Sequence, residues 1–177
     1  MTRNSEEYLE FIKSRKSIRK FKDAKIDKET ITSILECARW APSGLNNQPW
    51  KVFVVEYPTI KKLLAECTKY SSIIENAPVN FVIFLDMGKS YDRVKDIQGM
   101  GAFLQTMLLS IHAFGLGAVW LGEILNRKED VNDLFKLDSK KFELMGVIAM
   151  GEIADLKENE EIQKRKRKTI QEFAEFI

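Results

Sequence analysis

Arg15, Ser17 and Arg19 alternate along Ser14-Arg15-Lys16-Ser17-Ile18-Arg19-Lys20-Phe21, so an extended backbone puts all three on one face. Two guanidiniums flanking a hydroxyl suit a phosphate or another planar anion, because Arg presents paired N–H donors to such oxygens. A second run of cations, Lys164-Arg165-Lys166-Arg167-Lys168, lies near the C-terminus, followed at once by the apolar Ile170, Phe173 and Phe176. Those anchors predict a tail that docks, and two docked basic patches fit one small dianion better than a polyanion. The third feature is Ala41-Pro42-Ser43-Gly44-Leu45-Asn46-Asn47-Gln48-Pro49-Trp50. It carries one hydroxyl and three amides between two prolines, a composition that holds hydrogen-bonding groups still in a loop.

Other chemistries are excluded by what is missing. His112 is the only histidine and lies within an apolar run, so it reads as a satisfied core or interface side chain rather than a metal ligand. The chain has no GxSxG, Walker A or GxGxxG pattern. Cys37 and Cys67 form no CxxC or metal-ligand spacing, and Cys37, next to a helical apolar face, is expected to be a buried free thiol. The net charge of +2 is close to balance, and the basic C-terminal run has no interleaved aromatics, so nucleic acid is not the expected partner. Met1 to Glu10 has no apolar signal region, which makes the cytoplasm the expected compartment.

The elements around these groups follow from periodicity. With 177 residues, 45% apolar and 31% charged, the chain suits one globular domain, 1–177, with no linker or repeat. Asn4 and Glu7 resemble a capping box for a helix over 5–13. Asp27 caps a helix to about Trp40 whose apolar face is Ile31, Ile34, Leu35 and Ala38. Residues 50–55 read as a buried strand, Pro58 opens a helix to about Cys67, and 70–76 add a short turn of helix. Strands are expected at 79–85, 117–122 and 145–150. Asn126 with Glu129 predicts another capping box, starting a helix to about Phe135. Gly99 to Leu125 imitates a membrane span, but Gln105, Thr106, Ser110, His112 and Gly115-Leu116-Gly117 interrupt it. A helix apolar on all sides belongs at the centre of a soluble protein, and in so small a domain a second subunit would help cover it. Few strands separated by helices indicate an α+β or α/β layering.

Three segments, in order, resemble the flavin-dependent nitroreductase family over essentially the whole chain. Residues 14–21 are similar to its Arg-Arg-Ser-x-Arg-x-Phe signature and residues 41–50 to its Ala-Pro-Ser-x-x-Asn-x-Gln-Pro-Trp loop. The apolar helix followed by Gly115-Leu116-Gly117-Ala118-Val119-Trp120-Leu121-Gly122 resembles its helix and Gly-Leu-Gly turn. The resemblance implies an α+β, three-layer fold with a mainly antiparallel sheet flanked by helices. It also implies an intertwined homodimer binding FMN at the subunit interface, with residues 155–177 reaching over the partner. Arg15, Lys16, Ser17 and Arg19 match the stretch that contacts the FMN phosphate, ribityl chain and pyrimidine edge. Arg165 and Arg167 match a C-terminal basic pair on the phosphate. Pro42, Ser43, Gly44 and Asn46 match the loop reaching the flavin from the other subunit. Trp120, Leu121 and Gly122 match the turn beside the reactive N5 edge, and Gln48 and Trp50 would be structural.

The implied activity is an FMN-dependent oxidoreductase that uses NAD(P)H to reduce nitroaromatics, quinones or a related small acceptor by ping-pong hydride chemistry, with no metal. A cation such as Arg19 at the N1–C2=O edge would stabilise the negative charge that reduction places there. Where some members set Asn and Lys against the pyrimidine, this chain has Tyr70 and Ile73. Where some set a carboxylate near N5 it has Gly122, with Glu123 next, so a backbone contact is expected. The short connection from Asp86 to Asp96 predicts an open pocket or a small acceptor. The alternatives are a specialised flavoenzyme of the same fold (a reductive dehalogenase or flavin-consuming enzyme) and a non-catalytic flavin-binding protein.

Overall fold

The computed structural model describes residues 5–154 and 166–177. Its centre is one antiparallel sheet in the order β1-β2-β4-β3, formed by β1 (Trp50–Val55), β2 (Val79–Asp86), β3 (Gly117–Leu121) and β4 (Phe142–Gly151). β2 is buried along nearly its whole length, and its alternate side chains feed opposite cores. Phe81, Ile83 and Leu85 meet α2 (Lys28–Ala38) and α5 (Arg93–Ala113) on one face. Val82 and Phe84 meet α3 (Pro58–Ala65), α4 (Ser71–Asn76) and α6 (Lys128–Leu134) on the other. This is the helix–sheet–helix layering expected of an α+β chain.

Asp27 caps α2 as predicted: its Oδ1 accepts from the Thr30 amide at 2.7 Å. The helix stops at Ala38 rather than Trp40, with residues 39–40 closing in a turn. Several other expectations change. β1 is an edge strand with Lys51 and Val54 exposed, not a buried one. The Asn126–Glu129 capping box does not form, because residues 123–127 make a 3-10 turn and α6 begins at Lys128. Cys37 is exposed: it lies off the Ile31–Ile34–Ala38 stripe and faces a groove between α1 (Ser5–Ser14) and α5, whereas Cys67 is buried. The predicted cap Asn4 lies outside the described residues. No helix among the described residues is long and apolar enough to cross a membrane.

α5 carries the inner core on Met100, Phe103, Leu104, Met107, Leu108 and Ile111. Its opposite side is less covered: Gln105 is exposed, while Ala102, Thr106 and Leu109 are half-buried. α1 buries no residue and leaves Tyr8, Leu9 and Ile12 exposed. It is fixed to the C-terminal end of α5 by Phe11, which stacks on His112 at 5.1 Å, and by a 2.7 Å hydrogen bond between Ser14 Oγ and His112 Nε2. Ser14 Oγ also lies 2.9 Å from the Phe11 carbonyl, which can only accept, so the hydroxyl donates there and Nε2 donates to Ser14. His112 is therefore a satisfied packing residue, as its lone occurrence implied.

Candidate functional site

Residues 17 and 18 lie beside the start of β3, and residues 20–22 lie beside 152–154, past the end of β4. Ser17 forms a parallel bridge to Ala118, and the Ile18 amide donates to the Ala118 carbonyl at 2.9 Å. Phe21 bridges Ile153 in the antiparallel sense. Ile18, 2% exposed, anchors the segment, and Gly117 is required beneath it, since a Cβ there would lie 2.6 Å from Ile18 Cγ2. With Ile18 pointing inward, its neighbours in sequence fall to the other face of the segment. Arg15 and Lys16 line a small cleft with His112 and Ala118, while Arg19 lines a larger one with Ser72, Ile73 and Asn76. Arg15 and Arg19 therefore do not share one cleft as their alternation implied, although the segment that carries both meets the strand of Trp120 and Leu121 at Ala118.

Trp120 is 41% exposed, although its neighbours Val119 and Leu121 are buried. Its indole lies against Gly146, where a Cβ would come within 2.5 Å of Nε1. The β2–β4 register slips between Ile83 and Phe84, opposite Gly146 and Leu144, which leaves Met145 as the extra residue of a bulge. Gly146, at φ 145, supplies the backbone shape that the bulge needs. Trp120 and Met145 thereby share one cavity of about 410 Å³ with Met100, Gly101, Leu104 and Leu125. A Cβ on Gly101 or Gly122 would meet nothing within 4 Å, so both backbones are open, and Arg93, Lys128 and Glu143 add charge to the cavity's otherwise apolar lining. Glu123 turns elsewhere: its Oε2 accepts from Thr68 Oγ1 at 2.7 Å and from the Lys69 amide at 3.0 Å. Those bonds hold its carboxyl below the usual carboxylate range. Near Gly122 the donor on offer is therefore main chain. Ile73 is buried in the outer core and Tyr70 precedes α4, so neither supplies a side chain of the Asn–Lys type.

The loop at 43–48 has an unusual backbone. Leu45, Asn46 and Gln48 all have positive φ, at 52°, 53° and 46°. Such conformations cost about 1–3 kcal/mol each and persist only where neighbours enforce them. Gln48 supplies part of that enforcement, since its amide donates to Ser43 Oγ at 3.1 Å and its Nε2 reaches the Asn46 carbonyl and Oδ1. Trp50 enters the core and stacks on Phe103 at 4.8 Å, so the structural roles expected for Gln48 and Trp50 hold. Gly44 is dictated by Tyr91, whose hydroxyl would lie 2.1 Å from a Cβ at that position. Pro42 and Ser43 pack against Gly99 near the start of α5.

One chain does not bring the predicted residues to one place. The loop sits by Gly99, whereas Arg15 and Lys16 sit by His112. That is about thirteen residues of α5, or roughly 20 Å at about 1.5 Å per residue. Arg167 donates to the Lys166 carbonyl and lines neither cleft of Arg15 and Arg19, and Arg165 lies outside the described residues. The tail anchors were expected to be covered, but among the described residues Ile170, Phe173 and Phe176 remain 52%, 65% and 91% exposed. Sequence reasoning also passed over Asp96, which it placed in a connection and which lies inside α5, nearly fully buried. Its signal was available: an acid four residues past the Asp92 cap, in the first turn of an apolar helix.

Comparison with known proteins agrees with this architecture. The nitroreductase family model matches residues 12–67 and 59–152. A Methanothermobacter thermautotrophicus protein named for NADH dehydrogenase/NAD(P)H nitroreductase activity is 33% identical over 133 residues, covering 73% of this chain and 69% of its own. An Archaeoglobus fulgidus protein of the same name is 35% identical over 133 residues, covering 75% and 76%. Among solved structures, a nitroreductase-type protein from Desulfovibrio desulfuricans in complex with FMN superposes with a TM-score of 0.87 at 37% identity, over 96% of each chain.

Proposed function

The chain belongs to the nitroreductase family, and from that premise we propose that it is an FMN-dependent oxidoreductase that takes electrons from NAD(P)H and passes them to a nitroaromatic, a quinone or a related small acceptor. The observation that carries this reading is the cation-rich segment of Arg15, Lys16, Ser17 and Arg19, which meets at Ala118 the strand that exposes Trp120. The residues fit FMN in kind: Arg15, Lys16 and Arg19 offer cations to a phosphate, and a cavity of about 410 Å³ lies beside Trp120, with Gly101 in its wall.

FMN, once bound, supplies the two-electron relay between donor and acceptor. The chain's own residues hold and tune it. Arg15, Lys16 and Ser17, joined by Arg165 and Arg167, would bind the phosphate and ribityl oxygens. Arg19 would face the pyrimidine edge without help from Tyr70 or Ile73. Trp120, Leu121 and Gly122 would form the wall beside the reactive edge, with the Gly122 main chain as the polar contact, since Glu123 is committed to Thr68 and Lys69. The reaction calls for no nucleophile or metal from the protein, only an open face on which donor and acceptor stack in turn.

We further propose a cytoplasmic homodimer. The loop carrying Pro42, Ser43, Gly44 and Asn46 lies at the opposite end of α5 from the cations, so it completes the site of a second subunit. Residues 155–177 would reach over that subunit, placing Phe173 and Phe176 on apolar surface such as the groove lined by Tyr8, Phe11 and Leu109. The chain would still be a single domain. Purified protein should be yellow, or should quench added FMN fluorescence at a stoichiometry of one per chain, and should oxidise NADH or NADPH when an acceptor is present. A colourless preparation that does not take up FMN refutes the reading, whereas FMN uptake without NAD(P)H oxidation indicates the flavin-binding protein instead.

A further inference from the structure

Asp96 is 1% exposed, and neutral donors surround its carboxylate. Oδ1 accepts from Asn47 Nδ2 at 2.7 Å. Oδ2 accepts from Ser90 Oγ at 2.6 Å and from the amides of Tyr91 and Asp92 at 3.1 and 3.2 Å. Burying a carboxylate is costly, and four donors at the first turn of a helix are a sufficient compensation. An apolar residue would hold two packed segments together without that cost, so the carboxylate calls for another reason.

The reason lies in what the donors belong to. Asn47 sits inside the loop with three left-handed non-glycine residues, and Leu45 there is 84% exposed, so the packing of Pro42 and Ser43 on Gly99 does not extend to it. The hydrogen bonds of Gln48 run within the loop and cannot fix it to the body of the protein. Asn47 does so, reaching out to Asp96 and, at 3.0 Å, to the Lys89 carbonyl. Tyr91 takes its backbone bond from the same carboxylate and lays its ring on Gly44. One carboxylate thus governs the loop twice, through the side chain of Asn47 and through the ring above Gly44.

We propose that Asp96 is a positioning residue: it sets the 43–48 loop against α5 and seats Tyr91 over Gly44, so flavin affinity depends on an acid that does not touch the flavin. This rests on the reading that residues 42–46 contact FMN.

The test is FMN titration of dimeric protein, by fluorescence quenching, for Asp96→Asn, Asn47→Ala, the double variant and Ser90→Ala, with folding followed by circular dichroism. Both single variants should weaken FMN at least tenfold. The double variant should be no weaker than the worse single one, because the two residues act through one link. Ser90→Ala, which spares the Asn47 bond, should stay within about threefold of wild type. Single variants that lose thermal stability yet bind FMN like wild type would reduce Asp96 to a structural role and overturn the proposal, as would losses that multiply in the double variant. If Asp96→Asn does not fold, Asn47→Ala decides alone by the same tenfold criterion. Wild-type protein that fails to bind FMN would overturn the flavin reading and this inference together.

Discussion

Combining two individually defective variants should restore part of the activity, because the two halves of the proposed site lie at opposite ends of α5. In the first variant, Arg15→Ala with Arg19→Ala removes the cationic half and leaves the loop intact. In the second, Gly44→Ala displaces the Tyr91 ring from the loop, since the new Cβ would lie 2.1 Å from the Tyr91 hydroxyl and 2.4 Å from its ring. Each homodimer has two sites of one kind, both damaged. A mixed dimer has one site that combines both lesions and one that combines both intact halves. Random exchange makes about half the dimers mixed, and each of those regains one site of two, so about a quarter of wild-type sites return. The roughly 20 Å between Gly99 and His112 along α5 makes this outcome specific, because a loop at that distance cannot rescue its own chain. The assay is co-refolding at equal concentrations, followed by FMN stoichiometry and NAD(P)H oxidation, with each variant refolded alone as the baseline. Activity no higher than the mean of the separate variants would mean that both halves act within one chain, and the intersubunit arrangement would be wrong.

Three further outcomes can be measured directly. Gly146→Ala should cost about 1–3 kcal/mol and displace the Trp120 indole, seen as a lower melting temperature and a changed tryptophan emission; unchanged emission would show that the bulge does not set Trp120. Phe103→Ala should cost about 3–5 kcal/mol in urea unfolding, because it empties the centre of the inner core and removes the stack with Trp50. Burial raises the Asp96 pKa, but the bonds from Ser90, Asn47 and the backbone outweigh it and hold the group below the usual carboxylate range. A pKa depressed by folding gives stability that is present above about pH 4 and lost as pH falls through the folded value, so Asp96→Asn should flatten the acid limb of the stability curve. An acid limb as steep as wild type would show that Asp96 is not linked to it.

The parts of the fold legible in the sequence were those with strong local signals. Asp27 and the Ile31–Ile34–Ala38 stripe delimit α2, and the apolar run of 79–85 gives the central strand, because a strand fed by two cores has no polar alternation to blur it. The alternation of Arg15, Ser17 and Arg19 suggested one shared face, but Arg15 and Arg19 line separate clefts. Less visible were features set by long-range geometry. Cys37 looked buried because sequence spacing does not show which side of a helix a neighbour covers. The Asn126–Glu129 pattern satisfied a capping rule, yet Glu123 and Thr68 drew the chain into a 3-10 turn first. The bulge at Met145 and Gly146 left one local mark, a glycine inside an apolar strand run, which spacing alone does not turn into a register slip. Asp96 was hidden for a related reason: an acid in a polar-looking segment reads as solvated until Asn47, far away in sequence, is found beside it.

The outer edge of β1 has a consequence for how copies of this chain meet. Lys51 stands exposed on that strand with its ammonium 5.2 Å from the Phe53 ring centre. A lysine on an open border is one of the devices that keep sheets of separate molecules from joining edge to edge.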